Sequence, residues 1–598
     1  MVSRFLRSFA AAFLALACGA SFAQAPLVLG EPARAQKAAA EPRLRLGAEP
    51  ASRVRLAPVT EKDIERVRAR NAAAHGVGTA SVNLKRLAIG IDREIAPEAT
   101  QTPREGLAWQ SVPGGEAARL SVTSPDAPAL RAALDLMSVA DDVEMVFFGS
   151  AAPQRLFGPY RAGDAADRGN AWWSPMTEGE TLTVEFFAPG KHVAGDPRVV
   201  EVGHLFQNPA DRTAEKRVVD IGDAGSCNVD IPCSPLSGNA AFRNAMAAVA
   251  QMVFNDRGFV LLCTGTLLND TDPSTQRPWF FGANHCFDND SAPFKTAAQM
   301  QTVANTLTTL WFFEAASCGS STPNPGWQQL GGGATYVYSN EQSDALFLRL
   351  NRDPPSGAFF SGWDANPPAL GTLTIDGHHP QGDLKKISQG SVIDFTRWDS
   401  TSQANQYVRV QWFSGTTEGG SSGSGLLTLA GSQYVLRGGL RGGAALCSNT
   451  TGLDYFSRFD QIYPSISQYL GTSSGGGGVI PFTNVTSLWW VPTESGWGLN
   501  LIHRSASNIV FGTWYTYGAD GKRTWFVMPS GSWSSTNTYS GSLYRTSGPA
   551  FTMAYDQALV TTTAVGTGTL TFTDANNGTW SYTVDGVSGV KAIQRFPF

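Results

Sequence analysis

The sequence predicts a mainly β protein built from several domains, and three observations carry that prediction. Charged residues make up only 16% of the 598, while glycine (63 residues) and tryptophan (16) are plentiful, a balance that suits an all-β exported chain better than a helical cytosolic one. Runs such as "ARLSVTS", "LTVEFFAPG" and "GTWSYTV" alternate with a period of two between Gly and Pro turns. Six of the seven cysteines fall between Cys227 and Cys447, an even cluster that reads as a disulfide framework. At 598 residues the chain exceeds what one core can organise, and 42% apolar content argues against wholesale disorder. A net charge of −5 is small for this length and leaves no basic stripe for nucleic acid, so no nucleic-acid partner is expected.

Taken in order, "MVSRFLRSFAAAFLALACGASFAQA" has Arg4 and Arg7, an apolar run, and small residues near Ala23. It reads as a signal peptide, residues 1–23, and predicts secretion. The apolar run is too short to span a bilayer, and no other stretch is long enough, so no membrane span is expected. Cys18 invites a lipoprotein reading, which Ala15 disfavours because a lipobox prefers Leu there. Residues 24–80 are Ala/Arg-rich and of low complexity, and read as mobile or partly helical. Residues 81–221 form a β-rich domain without cysteine. Residues 222–470 carry the cysteines. The run "GTSSGGGGV", residues 471–479, is a Gly/Ser linker. Residues 480–598 are Trp-rich and alternating, with Asp-Gly turns, and predict a small β-sandwich or barrel.

A second Gly/Ser run, "TEGGSSGSGLL" at Thr417–Leu427, is different in kind. Apolar strands, "YVRVQWF" and "GLLTL", flank it closely, which is not how a domain linker sits. Glycine permits turns closed to other residues. Such a turn can aim the N–H groups of Gly420 and Ser422 at one point as an oxyanion hole, worth about 3 kcal/mol per donor at a transition state. Ser422 then stands beside the hole as a nucleophile. In "FFGANHCF", His285 adjoins Cys286. A bridge from Cys286 to Cys263 would pin the loop of this candidate base and add roughly 3 kcal/mol; otherwise His285 is an incidental surface histidine. A histidine base needs an acid to hold its ring, and Asp344, at the mouth of the strand "ALFLRL", is a candidate. Six cysteines allow fifteen pairings and spacing does not choose among them. A metal site is disfavoured, since no C-x-x-C pair exists and no histidines interleave at ligand spacing.

The order His285, Asp344, Ser422, with "A-x-H-C" around the first and "G-S-S-G-S" around the last, resembles the trypsin-like serine endopeptidases. The segment 222–470 resembles more closely the bacterial lysyl endopeptidases, through "GSCNVDIPC" at 225–233, "HHPQGDLKKIS" at 378–388 and "TEGGSSGSG" at 417–425. That resemblance implies a double β-barrel with the site between the barrels. It implies bridges Cys227–Cys447, Cys233–Cys318 and Cys263–Cys286, and Asp344 as the orienting acid. Asn284, Gly282 and Gly425 depart from the usual pattern without removing a catalytic atom. The position six residues before the nucleophile is Thr416, which cannot pair with a cation. The family's pocket aspartate corresponds to Asp454, which implies cleavage after Lys, with Arg kept open. Arg441 falls in the strand expected to line the pocket mouth. A cation there either weakens Lys binding or stacks on Trp398 and points away.

The implied mechanism is an acyl-enzyme route needing no metal or organic cofactor, with protein or peptide substrates. The N-terminal domain then reads as the chain's own propeptide, with Lys216-Arg217 as a processing pair or an ordinary solvated charge pair, and a new N-terminus near Gly222. The C-terminal segment resembles a domain appended to exported proteins. Its Trp489, Trp490, Trp497, Trp514 and Trp525 either bind a surface or polysaccharide or fill a β core. The rival readings are a secreted adhesion protein with an inactive protease-like domain, and an esterase. An esterase would want G-x-S-x-G between strand and helix, which this run lacks.

Overall fold

The computed structural model describes residues 26–35, 41–47, 52–74, 83–95, 107–164, 171–192, 195–208, 221–471 except 273, 289–292 and 401, and 484–597 except 505–508, 536 and four positions between 551 and 558. The signal peptide, the pair Lys216-Arg217 and the linker beyond Gly471 lie outside the described residues. Strand outweighs helix, 49% to 11%, so the protein is mainly β.

The N-terminal domain is two packed sheets. One runs through Glu144–Gly149, Thr181–Pro189 and Gly115–Thr123; the other through Ala129–Asp135, Arg198–Leu205 and Leu87–Glu94. Their inner faces bury Leu120, Leu134, Phe147, Phe186 and Val202. The segment 24–80, read as mobile or partly helical, is partly helical among its described residues. Its described part includes a helix, Glu61–Ala74, and the strand Ser52–Arg55, which joins Gly115–Thr123 in parallel. Ile64 and Val67 give the helix an apolar face that packs into the core, and Asn71 brackets the backbone of Ala88 with two hydrogen bonds, 2.8 and 2.9 Å.

Two barrels come next along the chain. In the first, strands run Ala334–Asn340, Ala345–Leu350, Trp279–Ala283, Phe259–Leu268, Val249–Asp256, Thr308–Trp311. Strand Phe259–Leu268 is buried along almost all of its length, as expected of a continuous apolar run. Leu87–Glu94 of the N-terminal domain covers its first half, so one sheet passes from that domain into the barrel. In the second barrel, Leu373–His378, Lys386–Thr396, Tyr407–Ser414, Leu453–Ser457, Gln433–Gly443 and Gly425–Ala430 close into a ring. The helix Phe459–Leu470 buries Phe459, Ile462, Ile466 and Leu470 against Trp279, Trp363 and Phe281, and Gly471 ends it in the left-handed conformation.

The C-terminal domain is an antiparallel meander from Ser487–Trp490 to Val587–Arg595. Its first and last strands pair, and Val527 meets Tyr544 to complete the closure. Trp489, Trp514, Trp533 and Trp580 fill its interior. Among the described residues, no helix is long and apolar enough to cross a membrane.

Candidate active site

The strand Trp279–Ala283 ends in a one-turn helix, Asn284–Phe287, that carries His285 into the cleft between the barrels. Cys286, one residue on, is bonded to Cys263 of the neighbouring strand (S–S 2.11 Å), so the turn is tied at its centre. Cys227–Cys447 and Cys233–Cys318 are bonded as well, at 2.10 and 1.96 Å.

Asp344 sits where Ala345–Leu350 begins, with φ of 54°, a left-handed conformation rare outside glycine. That backbone turns its carboxylate toward His285. Oδ1 accepts the His285 backbone N–H at 2.9 Å and Oδ2 accepts its Nδ1–H at 2.8 Å. With Nδ1 protonated, Nε2 is an acceptor, and the Ser422 hydroxyl donates to it at 2.6 Å. All three side chains are fully buried.

The serine loop depends on glycine at two positions. Gly420 has φ of +92°, and a Cβ there would lie 2.6 Å from the His379 carbonyl. Gly423 has φ of +82°, with the Thr264 carbonyl 2.5 Å from where a Cβ would stand. Gly425 is also confined: a side chain would meet Thr266 Oγ1 at 2.6 Å. Polar groups that sequence reasoning missed hold the loop from beneath. His378 Nε2–H donates to Ser388 Oγ at 3.1 Å, which in turn donates to the Thr416 carbonyl at 2.7 Å. Its Nδ1 therefore accepts from Ser421 at 2.8 Å, and the Ser421 oxygen accepts the Glu418 N–H. Burial, with Lys85 and Lys386 nearby, lowers His378 to about 3, keeping it neutral in this role. Ser424 donates to the buried Asp376 at 2.9 Å, whose carboxyl is pushed well up by burial.

Asp454, on strand Leu453–Ser457, is fully buried and fully engaged. Oδ2 accepts from Trp412 Nε1 at 2.7 Å and Thr417 Oγ1 at 2.6 Å. Oδ1 accepts from the ammonium of Lys85, in the N-terminal domain, at 2.7 Å. That ammonium also reaches the carbonyls of Thr417 (3.0 Å) and Ala445 (2.8 Å), and the Thr417 hydroxyl. Burial pushes the Lys85 ammonium down, and Asp454 opposes that shift. The Lys85 carbonyl oxygen meanwhile accepts from Gly420 N–H at 2.5 Å and Ser422 N–H at 3.4 Å. Lys85, Trp412 and Thr417 were not among the residues singled out from sequence. The available signal was "LKR" just before the apolar alternation "LAIGI".

Arg441 lies with its guanidinium 4.5 Å from the Trp398 ring centre and its Nη1 3.6 Å from Asp344 Oδ1. Thr416 is buried beside the loop and its carbonyl, not its side chain, enters the network. In the C-terminal barrel, Trp489 and Trp514 are core residues, Trp490 and Trp497 are half-buried and Trp525 is 50% exposed.

Residues 221–457 match the family model described as lysyl endopeptidase, C-terminal domain, and residues 55–204 match that of the lysyl endopeptidase N-terminal domain. A lysyl endopeptidase of Pseudomonas aeruginosa is 40% identical over 401 residues, which is 64% of this chain and 81% of that protein. A crystal structure of Rv3671c from M. tuberculosis, an inactive mutant form, aligns over 43% of this chain and 100% of its own at 13% identity; its TM-score of 0.26 is too low to bear on fold or function. Both family models and a relative matched over most of its length place this chain in the lysyl endopeptidase family, and it is a serine endopeptidase acting on peptide or protein substrates.

Proposed function

We propose that the chain is a secreted endopeptidase that cuts after Lys, with His285, Asp344 and Ser422 as its triad. The hydrogen-bonded series Asp344–His285–Ser422 carries this reading. His285 Nε2 takes the Ser422 proton as Oγ attacks the carbonyl carbon. Asp344 holds the ring and stabilises the imidazolium. The N–H groups of Gly420 and Ser422 receive the oxyanion, a stabilisation worth about 3 kcal/mol per donor. His285 then protonates the leaving amine, and water admitted to the same base releases the acid.

Lys preference is supported by the engagement of Asp454. Trp412 and Thr417 fix one carboxylate oxygen and leave the other for a cation. An ammonium there also finds two carbonyls, whereas a neutral side chain would leave a buried carboxylate unpaired. A guanidinium is longer and planar, so Arg substrates are expected to be slower. Arg441 acts on this reading as a support behind Asp344, stacked on Trp398, and not as a pocket wall.

The N-terminal domain is the chain's own propeptide on this reading, removed to give an N-terminus near Gly222. Residues just beyond that point are already anchored: Gly222 N–H on the Gln381 carbonyl, Ala224 on Asp383 and Gly225 on Glu418. The outward Phe511, Tyr515, Tyr517 and Trp525 are the candidates for a surface or polysaccharide contact by the C-terminal barrel.

The test compares secreted wild type with Ser422→Ala on peptides differing only in Lys, Arg or Phe before the scissile bond, with N-terminal sequencing. Lys cleavage absent from the variant, with a wild-type N-terminus near Gly222, is expected. A fully matured wild type that cuts none of the peptides would overturn the reading.

A further inference from the structure

The chain places one of its own peptide bonds in its own site. Lys85 fills the Asp454 pocket, and its carbonyl oxygen lies between the N–H groups of Gly420 and Ser422. Asn83 and Leu84 add an antiparallel strand to Gly443 and Gly442, on the acyl side of that carbonyl. On the other side the Arg86 guanidinium donates to the carbonyls of Cys286 (3.1 Å), within the His285 turn, and Asp288 (3.2 Å), just after it. Residues 83–86 thus meet the cleft as an extended substrate would: strand pairing before the bond, a filled cationic pocket at it, and a held side chain after it.

The chain beyond Arg86 is held just as firmly. Leu87–Glu94 is an interior strand, paired on one edge with Phe259–Leu268 and on the other with Arg198–Leu205. Leu87, Ala88, Ile89 and Ile91 are buried. The leaving side of the bond therefore remains fixed whether or not the bond is cut.

We propose that Lys85–Arg86 is a self-cleavage bond, and that the segment ending at Lys85 blocks the cleft until that bond is cut and the segment withdraws. This rests on the serine endopeptidase reading above, including its Lys pocket. Ser422 Oγ bonds to the Lys85 carbonyl carbon and gives its proton to His285. The Lys85–Arg86 C–N bond breaks, and His285 passes that proton to the Arg86 nitrogen. Water then hydrolyses the Lys85 ester, leaving a Lys85 carboxylate and restoring the Ser422 hydroxyl. Because Leu87–Glu94 keeps the new amine beside the ester, return to the intact bond competes with hydrolysis. The cut is slow for that reason, and a free Lys substrate cannot enter meanwhile. This cut is additional to the one expected near Gly222.

The test uses the full-length protein and follows intact mass and hydrolysis of a Lys peptide together. Wild type should yield a fragment beginning at Arg86, at a rate unchanged by a hundredfold dilution, and Ser422→Ala should yield none. Lys85→Gln should empty the pocket, so that the uncut precursor hydrolyses the peptide at least tenfold faster than uncut wild type. Arg86→Pro retains Lys85 but denies the site a cleavable bond, and should stay whole at this position and silent for longer. It keeps the test decisive if Lys85→Gln does not fold. A rate that scales with concentration, an uncut 85–86 bond in fully active wild type, or equal precursor activities in wild type and Lys85→Gln would overturn the proposal while leaving the endopeptidase standing. Failure of matured enzyme on every peptide would instead mark failure of the underlying function.

Discussion

The two ends of the cleft are built differently. At the nucleophile end, His285, Asp344 and Ser422 all come from the barrels and are already in mutual hydrogen-bond contact. At the pocket end, Asp454 is satisfied only with the help of Lys85, a residue of the N-terminal domain. On the proposed reading, the catalytic end is complete and the specificity end is occupied. Restraint of such an enzyme needs no distorted oxyanion hole; it needs only that a better-placed lysine already be there. A buried carboxylate with no cation would be costly, so the pocket proposed to select lysine would also be the one that retains Lys85.

Experiments can separate the two ends. The largest effect is expected from Ser422→Ala, which should lower kcat by about 10⁶-fold. Loss of only a few fold would mean that another group attacks. Next, Gly420→Ala forces a Cβ against the His379 carbonyl at a positive φ. It should displace one oxyanion donor and lower kcat about 10²- to 10³-fold with KM little changed; a change confined to KM would place Gly420 at the pocket end instead. Replacing Cys263 and Cys286 together by alanine should cost about 3 kcal/mol in denaturant unfolding, measured in the Ser422→Ala background to prevent self-digestion.

The last effect is a pH slope and concerns His378. Its folded value, about 3, lies below the 6.5 of the unfolded chain, because burial disfavours its charged form. Between those values the unfolded chain binds a proton that the folded one refuses. The stability this group contributes is therefore complete above pH 6.5 and falls as pH drops toward 3, by about 1.4 kcal/mol per unit. His378→Gln should flatten the slope by about one proton, and an unchanged slope would remove His378 from the network beneath the serine loop.

The sequence made the nucleophile end legible because its residues sit in short, chemically peculiar runs. A Gly/Ser stretch flanked closely by strands is unlike a linker, and a histidine beside a cysteine was legible as a candidate base or an incidental surface residue. The C-terminal tryptophans were legible only as a choice, which packing settles for Trp489 and Trp514 by burying them. The helix Glu61–Ala74 was legible only as one of two alternatives for an Ala/Arg-rich stretch, since its stability comes from Ile64 and Val67 docking on distant strands. Lys85 was missed for a similar reason. Its importance lies in a contact with Asp454, 369 residues away, and no local pattern encodes that distance. His378, Ser388 and Ser421 form a network across three separate segments, so it too emerges only once the barrel has closed.

The most direct test of a lysine-reading pocket beside an independently assembled triad is Asp454→Asn, matured in trans by tagged wild-type enzyme that is then removed. Its kcat/KM for Lys and Phe peptides would be measured beside the rate at which a small neutral phosphonofluoridate modifies Ser422. The expected result is a fall of about 10³-fold or more for the Lys peptide, little change for Phe, and an unaltered rate of Ser422 modification. Retention of Lys preference, or loss of Ser422 reactivity along with it, would contradict a pocket and a triad that work independently.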